Sequence, residues 1–230
     1  MKRAFPILGI LTAILLSYAL YMALVWAPTE RTMGDVQRIF YYHVPSAVIG
    51  FALFFVNLLA SVVYLIRRNA VADIVAVSTA EVGVVFCTIV LVTGPIWARP
   101  VWGIWWTWDA RLTSTLVLWL IYISYLLLRR FSSSSQTPVL AAALAIFGFL
   151  DVPFVYMANR VFRTQHPQPV YFGGQGSGAD LRMTHTLLIN MLAFACFAFL
   201  ICWSRYRLEK LQREVEEAQA LESLHEGSTR

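Results

Sequence analysis

Five of the eight tryptophans fall within one short segment, Trp97-Ala98-Arg99-Pro100-Val101-Trp102-Gly103-Ile104-Trp105-Trp106-Thr107-Trp108-Asp109-Ala110-Arg111. Tryptophan favours the boundary between membrane and water, which accounts for one or two at a helix end. It accounts neither for this density nor for Asp109 and Arg111 among the indoles. Indole faces beside a guanidinium suit a large, flat, partly apolar ligand bearing carboxylates, because guanidinium pairs with planar anions as a fork. Haem and quinones are flat and apolar, and haem adds two propionates. Trp102, Trp105, Trp106 and Asp109 recur at three- and four-residue steps, which predicts a shared face on a short helix. Pro100 and Gly103 predict that the segment opens with a turn.

Histidine placement bears on the same chemistry. His43 stands in Tyr41-Tyr42-His43-Val44-Pro45, His166 in Arg163-Thr164-Gln165-His166-Pro167, His185 in Met183-Thr184-His185-Thr186, and His225 in a polar tail. Imidazole is a standard axial ligand of haem iron. A zinc site finds no support: there is no H-x-x-x-H and no cysteine or carboxylate cluster. Cys87, Cys196 and Cys202 lie inside apolar runs without C-x-x-C spacing and read as buried small residues. There is no C-x-x-C-H for covalent haem attachment and no phosphate-cradling G-x-x-x-x-G-K-[ST] loop. Glu81 and Asp151 fall inside apolar runs, where an acid is a functional hypothesis or a hydrogen-bonding group between helices; Asn57 and Asn190 are candidates for such interhelical bonds. The stretch from Gly173 to Gly178 reads as a flexible loop.

The elements that must position these residues follow from composition. Fifty-nine per cent of the 230 residues are apolar or aromatic and 13% are charged, against roughly a quarter charged in soluble domains. That excludes a disordered chain and an ordinary soluble enzyme. Six apolar stretches lie at about 4–25, 46–66, 74–96, 113–128, 138–157 and 183–203. Each can span a bilayer as a helix of about 20 residues, and the runs lack the alternation of barrel strands. The prediction is an all-α integral membrane protein with six transmembrane helices, its first helix retained. The membrane domain covers 1–203, with the Trp-rich external loop at about 97–112, and an amphipathic tail covers 204–230. Lys2, Arg3, Arg67, Arg68, Arg129, Arg130, Arg205, Arg207, Lys210 and Arg213 then share one side, which the positive-inside rule makes cytoplasmic, with both termini there. The net charge of +5 divides accordingly: it sets topology and does not form a nucleic-acid surface. The opposite side carries Arg31, Arg38, Arg99, Arg111, Arg160, Arg163 and Arg182, all arginine, together with the tryptophans and His43, His166 and His185. Leu208, Leu211, Val215, Ala218 and Leu221 give the tail helical spacing as an extension of the last span.

The run Trp102-Gly103-Ile104-Trp105-Trp106-Thr107-Trp108-Asp109-Ala110-Arg111-Leu112-Thr113 resembles the tryptophan-rich (WWD) signature of membrane haem-handling proteins of cytochrome c maturation. With six spans and this size, the chain is most similar to the CcmC family, haem exporter protein C. Arg38-Ile39, Tyr42-His43-Val44-Pro45 and Leu91-Val92-Thr93-Gly94 support the match, which is strong over about residues 36–130. The resemblance implies non-covalent haem b at the outer face of a bacterial-type inner membrane, with His43 and His166 as axial ligands and His185 as the alternative second ligand. Around the porphyrin it implies Trp102, Gly103, Trp105, Trp106, Trp108 and Asp109, with Arg38, Arg99 and Arg111 available to propionates. It further implies delivery of haem to the chaperone CcmE beside CcmA, CcmB and CcmD, a handling role rather than catalysis by this chain. A transport permease with a structural Trp belt and a quinone-linked b-type cytochrome are the rival readings. The second would place histidines deep within spans, whereas these lie at helix ends and in loops.

Overall fold

The structure is a computed structural model that describes residues 4–166 and 180–228, so the Gly173–Gly178 stretch lies outside it. Helix α1 (Ala4–Tyr21) runs into a π-helical turn at Met22–Trp26. A 3-10 turn at Asp35–Ile39 leads into α2 (Phe40–Arg67), followed by α3 (Ala70–Trp102) and α4 (Ala110–Phe131). Then come α5 (Thr137–Phe149), α6 (Asp151–Val161) and α7 (Leu181–Ser228). Six stretches are long and apolar enough to cross a membrane, α5 and α6 together making one. Among the described residues there is no strand, only an isolated bridge between Glu30 and Gly34. The protein is an all-helical integral membrane protein of six spans, as its composition predicts.

The tryptophan segment does not open with a turn at Pro100. Helix α2 starts at Phe40 and carries Pro45 inside it, and α3 continues through Pro95 and Pro100. A proline in a membrane helix forfeits one backbone bond, which packing against neighbouring helices offsets. What ends α3 is Gly103, left-handed at φ 78°, whose N–H bonds the Arg99 carbonyl at 3.0 Å. Asp109 then caps α4. The expected short helix sharing Trp102, Trp105, Trp106 and Asp109 therefore does not form: Trp97 and Trp102 belong to α3, and 103–109 is irregular. The fifth span also breaks, at Leu150, because Pro153 has no N–H to offer the Phe149 carbonyl.

Helices α2 and α3 form the main pair, with α4 against α5 and α6, and α7 against α1, α2 and α3. Close approach depends on Gly83, where a Cβ would stand 2.6 Å from the Phe54 ring. Phe54 in turn stacks on Tyr122 of α4, centroids 3.8 Å apart. Asn57 donates to the Ala76 carbonyl (2.7 Å) and Asn190 to that of Ala19 (3.3 Å), tying α2 to α3 and α7 to α1. Glu81 pairs with Arg205 of α7. Asp73 on α3, only 3% exposed, accepts two bonds from Arg129 of α4 (2.7 and 2.8 Å) and one from Arg213 of α7 (2.7 Å). These ion pairs lie at the basic end of the bundle. At the opposite end, the tryptophan end, are the turns 27–34, 103–109 and 162–166.

Candidate functional site

His43 lies in the first two turns of α2, half-buried against α3. Its Nδ1 is 2.8 Å from the Thr93 hydroxyl, and that hydroxyl donates to the Ile89 carbonyl at 2.6 Å. Thr93 has a single hydroxyl proton, and the carbonyl takes it. The imidazole must therefore donate from Nδ1, which leaves the Nε2 lone pair uncommitted. Beside Thr93, a Cβ on Gly94 would stand 3.6 Å from His43 Cε1, so the ring edge packs over bare backbone.

Asp109 organises the facing elements. Its Oδ1 accepts from the N–H groups of Arg111 (2.9 Å) and Leu112 (3.0 Å), a helix N-cap. Its Oδ2 accepts from the Thr107 hydroxyl (3.0 Å) and the Gln165 N–H (3.3 Å). One carboxylate thus starts α4, ties in the tryptophan segment and holds the strip after α6 that bears His166. Arg111 Nη1 stands 3.4 Å from His166 Nδ1, and His43 is within electrostatic reach of both Arg111 and His166. His43, His166 and Arg111, far apart in sequence, come together. A guanidinium can only donate, so His166 presents Nδ1 as acceptor and carries its proton on Nε2. The two histidines hold opposite tautomers.

The indoles surround this group unevenly. Trp105 and Trp108 are 58% and 76% exposed. Trp106 meets Trp108 edge to face at 5.8 Å, and its shielded indole N–H has no hydrogen-bond partner among the described residues. Trp102 pairs instead with Trp97 (4.9 Å, edge to face), so the tryptophans do not build one flat shelf. Arg99 donates to the Gly103 carbonyl and closes the end of α3. Arg38 is committed to the end of the first span: it donates to the carbonyls of Ala23 (2.6 Å) and Ala27 (3.2 Å) and pairs with Asp35. His185 is exposed in the first turns of α7, and His225 sits in its far extension. No group of three or more His, Cys, Asp or Glu side chains converges among the described residues.

Sequence reasoning did not single out Thr93 or Gln165 as contributors. Thr93 is 50 positions from His43, and no local spacing encodes that contact.

A haem fits this donor set. There is one imidazole whose Nε2 has no partner among the described residues, a second imidazole close by, exposed indoles and a guanidinium. Fold and site together define a polytopic membrane protein with imidazoles, a guanidinium and indoles gathered at one end of its bundle, a set suited to a flat, anionic ligand. The family profile described as heme exporter protein C matches residues 1–221, and the chain belongs to that family. It is 32% identical to the heme exporter protein C of Bradyrhizobium diazoefficiens over 96% of this chain and 84% of that one. Identity to the Escherichia coli K12 protein of that name is 28% over 90% and 82%. A Paracoccus denitrificans relative with the same name is 38% identical over 56% of each chain.

Proposed function

We propose that the protein binds haem as cargo at the tryptophan end and presents it to the haem chaperone CcmE, within a CcmABCD-type complex of cytochrome c maturation. Family membership gives the coarse role, haem handling for cytochrome c maturation. What carries the site reading is the His43–Thr93–Ile89 chain beside His166 and Arg111, because it leaves one imidazole nitrogen ready for iron. The tryptophan end faces the periplasm and both chain ends face the cytoplasm, since the Arg-dense short links at 67–68 and 129–130 lie at the other end.

In this mechanism His43 ligates through Nε2 from the start. His166 must first move its proton from Nε2 to Nδ1, which requires Arg111 to withdraw. A propionate supplies the reason for withdrawal, because a carboxylate is a better partner for guanidinium than a neutral imidazole at 3.4 Å. Trp105 and Trp108, exposed at the rim, cover the porphyrin face and leave an edge open to the chaperone. The covalent chemistry stays with the partner.

Purified protein titrated with hemin tests this. His43→Ala and His166→Ala are each expected to shift the Soret and α bands, and His225→Ala to leave them unchanged. Wild-type bands in both external variants would remove the ligand assignment. An effect of His185→Ala equal to that of His43→Ala would transfer the second ligand there.

A further inference from the structure

The geometry points to Thr93 as a positioning residue: its hydroxyl holds His43 in the one tautomer that can give Nε2 to iron. This rests on His43 being a haem ligand and adds what makes it competent. Neutral imidazole exchanges its proton between two nitrogens at little cost in water, but here only one arrangement satisfies every group. The Thr93 hydroxyl proton goes to the Ile89 carbonyl at 2.6 Å, its lone pair faces Nδ1 at 2.8 Å, and a proton on Nε2 instead would set two lone pairs against each other. At the membrane boundary an unpaired polar atom is costly, so the preference is strong. The same bond aligns the ring plane, and at Gly94, the next residue, the Cε1 edge of the ring packs against bare backbone, a Cβ there standing 3.6 Å away. Thr93 therefore holds the Nδ1 side of the ring and leaves the proton-free nitrogen on the other. Hydrogen bonding to the far nitrogen also makes the ligating nitrogen more basic and steadies the oxidised metal.

The test compares Thr93→Val, Thr93→Ser and His43→Ala in full-length protein in detergent. Hemin affinity is read by titration, and the haem midpoint potential by redox titration. Thr93→Val keeps the shape and removes the hydroxyl. It should weaken hemin binding by roughly 10- to 100-fold, the range for lost outer partners of a ligating histidine, and raise the midpoint potential. Thr93→Ser restores the hydroxyl and should return both values to those of the wild type. A merely structural threonine would not move the potential, and a folding defect in Thr93→Val would appear as a lowered melting temperature. If that occurs, Thr93→Ser against Thr93→Ala, which both lack the γ-methyl, isolates the hydroxyl by the same two readouts. Equal affinity and potential across each hydroxyl pair, with His43→Ala still altering the spectrum, would overturn the role of Thr93 while leaving His43 as ligand. An unaltered spectrum in His43→Ala would overturn the ligand reading itself.

Discussion

Arg111 and Arg38 show how far residue type alone misleads about role. Both are arginines on the same side of the bundle and both are equally able to grip a carboxylate. Arg38 already donates to Ala23 and Ala27 at the end of the first span, where a helix leaves carbonyls without partners. Among the described residues the one hydrogen-bond contact of the Arg111 guanidinium is the 3.4 Å approach to His166, with the Asp109 carboxylate in electrostatic reach. Arg111→Ala is therefore expected to weaken hemin binding by roughly 10- to 100-fold, the equivalent of about 1.5–3 kcal/mol for a hydrogen bond to a charged group. Arg38→Ala should instead lower the melting temperature, with the Soret position of the bound protein unchanged. A Soret shift in Arg38→Ala alone would reverse these roles. An aspartate directly before the apolar run of α4 is a cap pattern, but the three- and four-residue steps place Asp109 instead on a short tryptophan helix that does not form. The second task of Asp109, holding Gln165 and so His166, needs a contact across 56 positions and is visible only in three dimensions.

At the scale of elements, the six spans are legible because a bilayer fixes the length of an apolar helix. Their ends are less so. Pro100 reads as the opening of a turn yet lies inside α3, as Pro95 does, and Pro45 lies inside α2, since tight packing and the lack of competing water keep the backbone helical around a missing bond. The consequence for the site is direct: His43 is helical rather than in a loop, and only 103–109 of the tryptophan segment is free of helix. The turn before α2 carries its own pH sensitivity. Backbone N–H groups, chiefly that of Met33 and also that of Thr32, bond the Glu30 carboxylate and hold it below its ordinary value. A depressed carboxylate stabilises the turn above the unfolded-state value and stops doing so as pH falls through the lowered one. The protection of the Thr32 and Met33 amides, their exchange rate relative to that of an unstructured chain at the same pH, should therefore be high at neutral pH and fall on acidification, with Glu30→Gln pre-empting much of the change. Protection unaffected by Glu30→Gln would show that the carboxylate does not organise this turn.

Across the whole molecule, the His43–His166–Arg111 group and the charged clamps occupy opposite ends. From His43 to Arg67 along α2 is roughly 36 Å at 1.5 Å per residue. Asp73 at the basic end joins α3, α4 and α7 with almost no exposure, so it acts on assembly of the bundle rather than on the ligand. Removing Arg129 leaves a buried carboxylate short of its bidentate partner, and a broken buried pair costs about 3–5 kcal/mol. Helix α7 continues unbroken through Ser204 to Ser228, with Leu208, Leu211, Val215 and Leu221 exposed along it. Arg205 and Arg213 tie it to the bundle through ion pairs with Glu81 and Asp73. A chain ending at Glu214 keeps both clamps and should melt and bind hemin as the full-length protein does. A chain ending at Ser204 loses Arg205, Glu209 and Arg213, strands Glu81 and weakens the hold on Asp73, and should melt at a lower temperature like Arg129→Ala. Thermal melts of the three proteins in one detergent decide the matter. If loss of 215–230 alone lowered either the melt or hemin affinity, the far half of α7 would have to belong to the folded bundle rather than project from it.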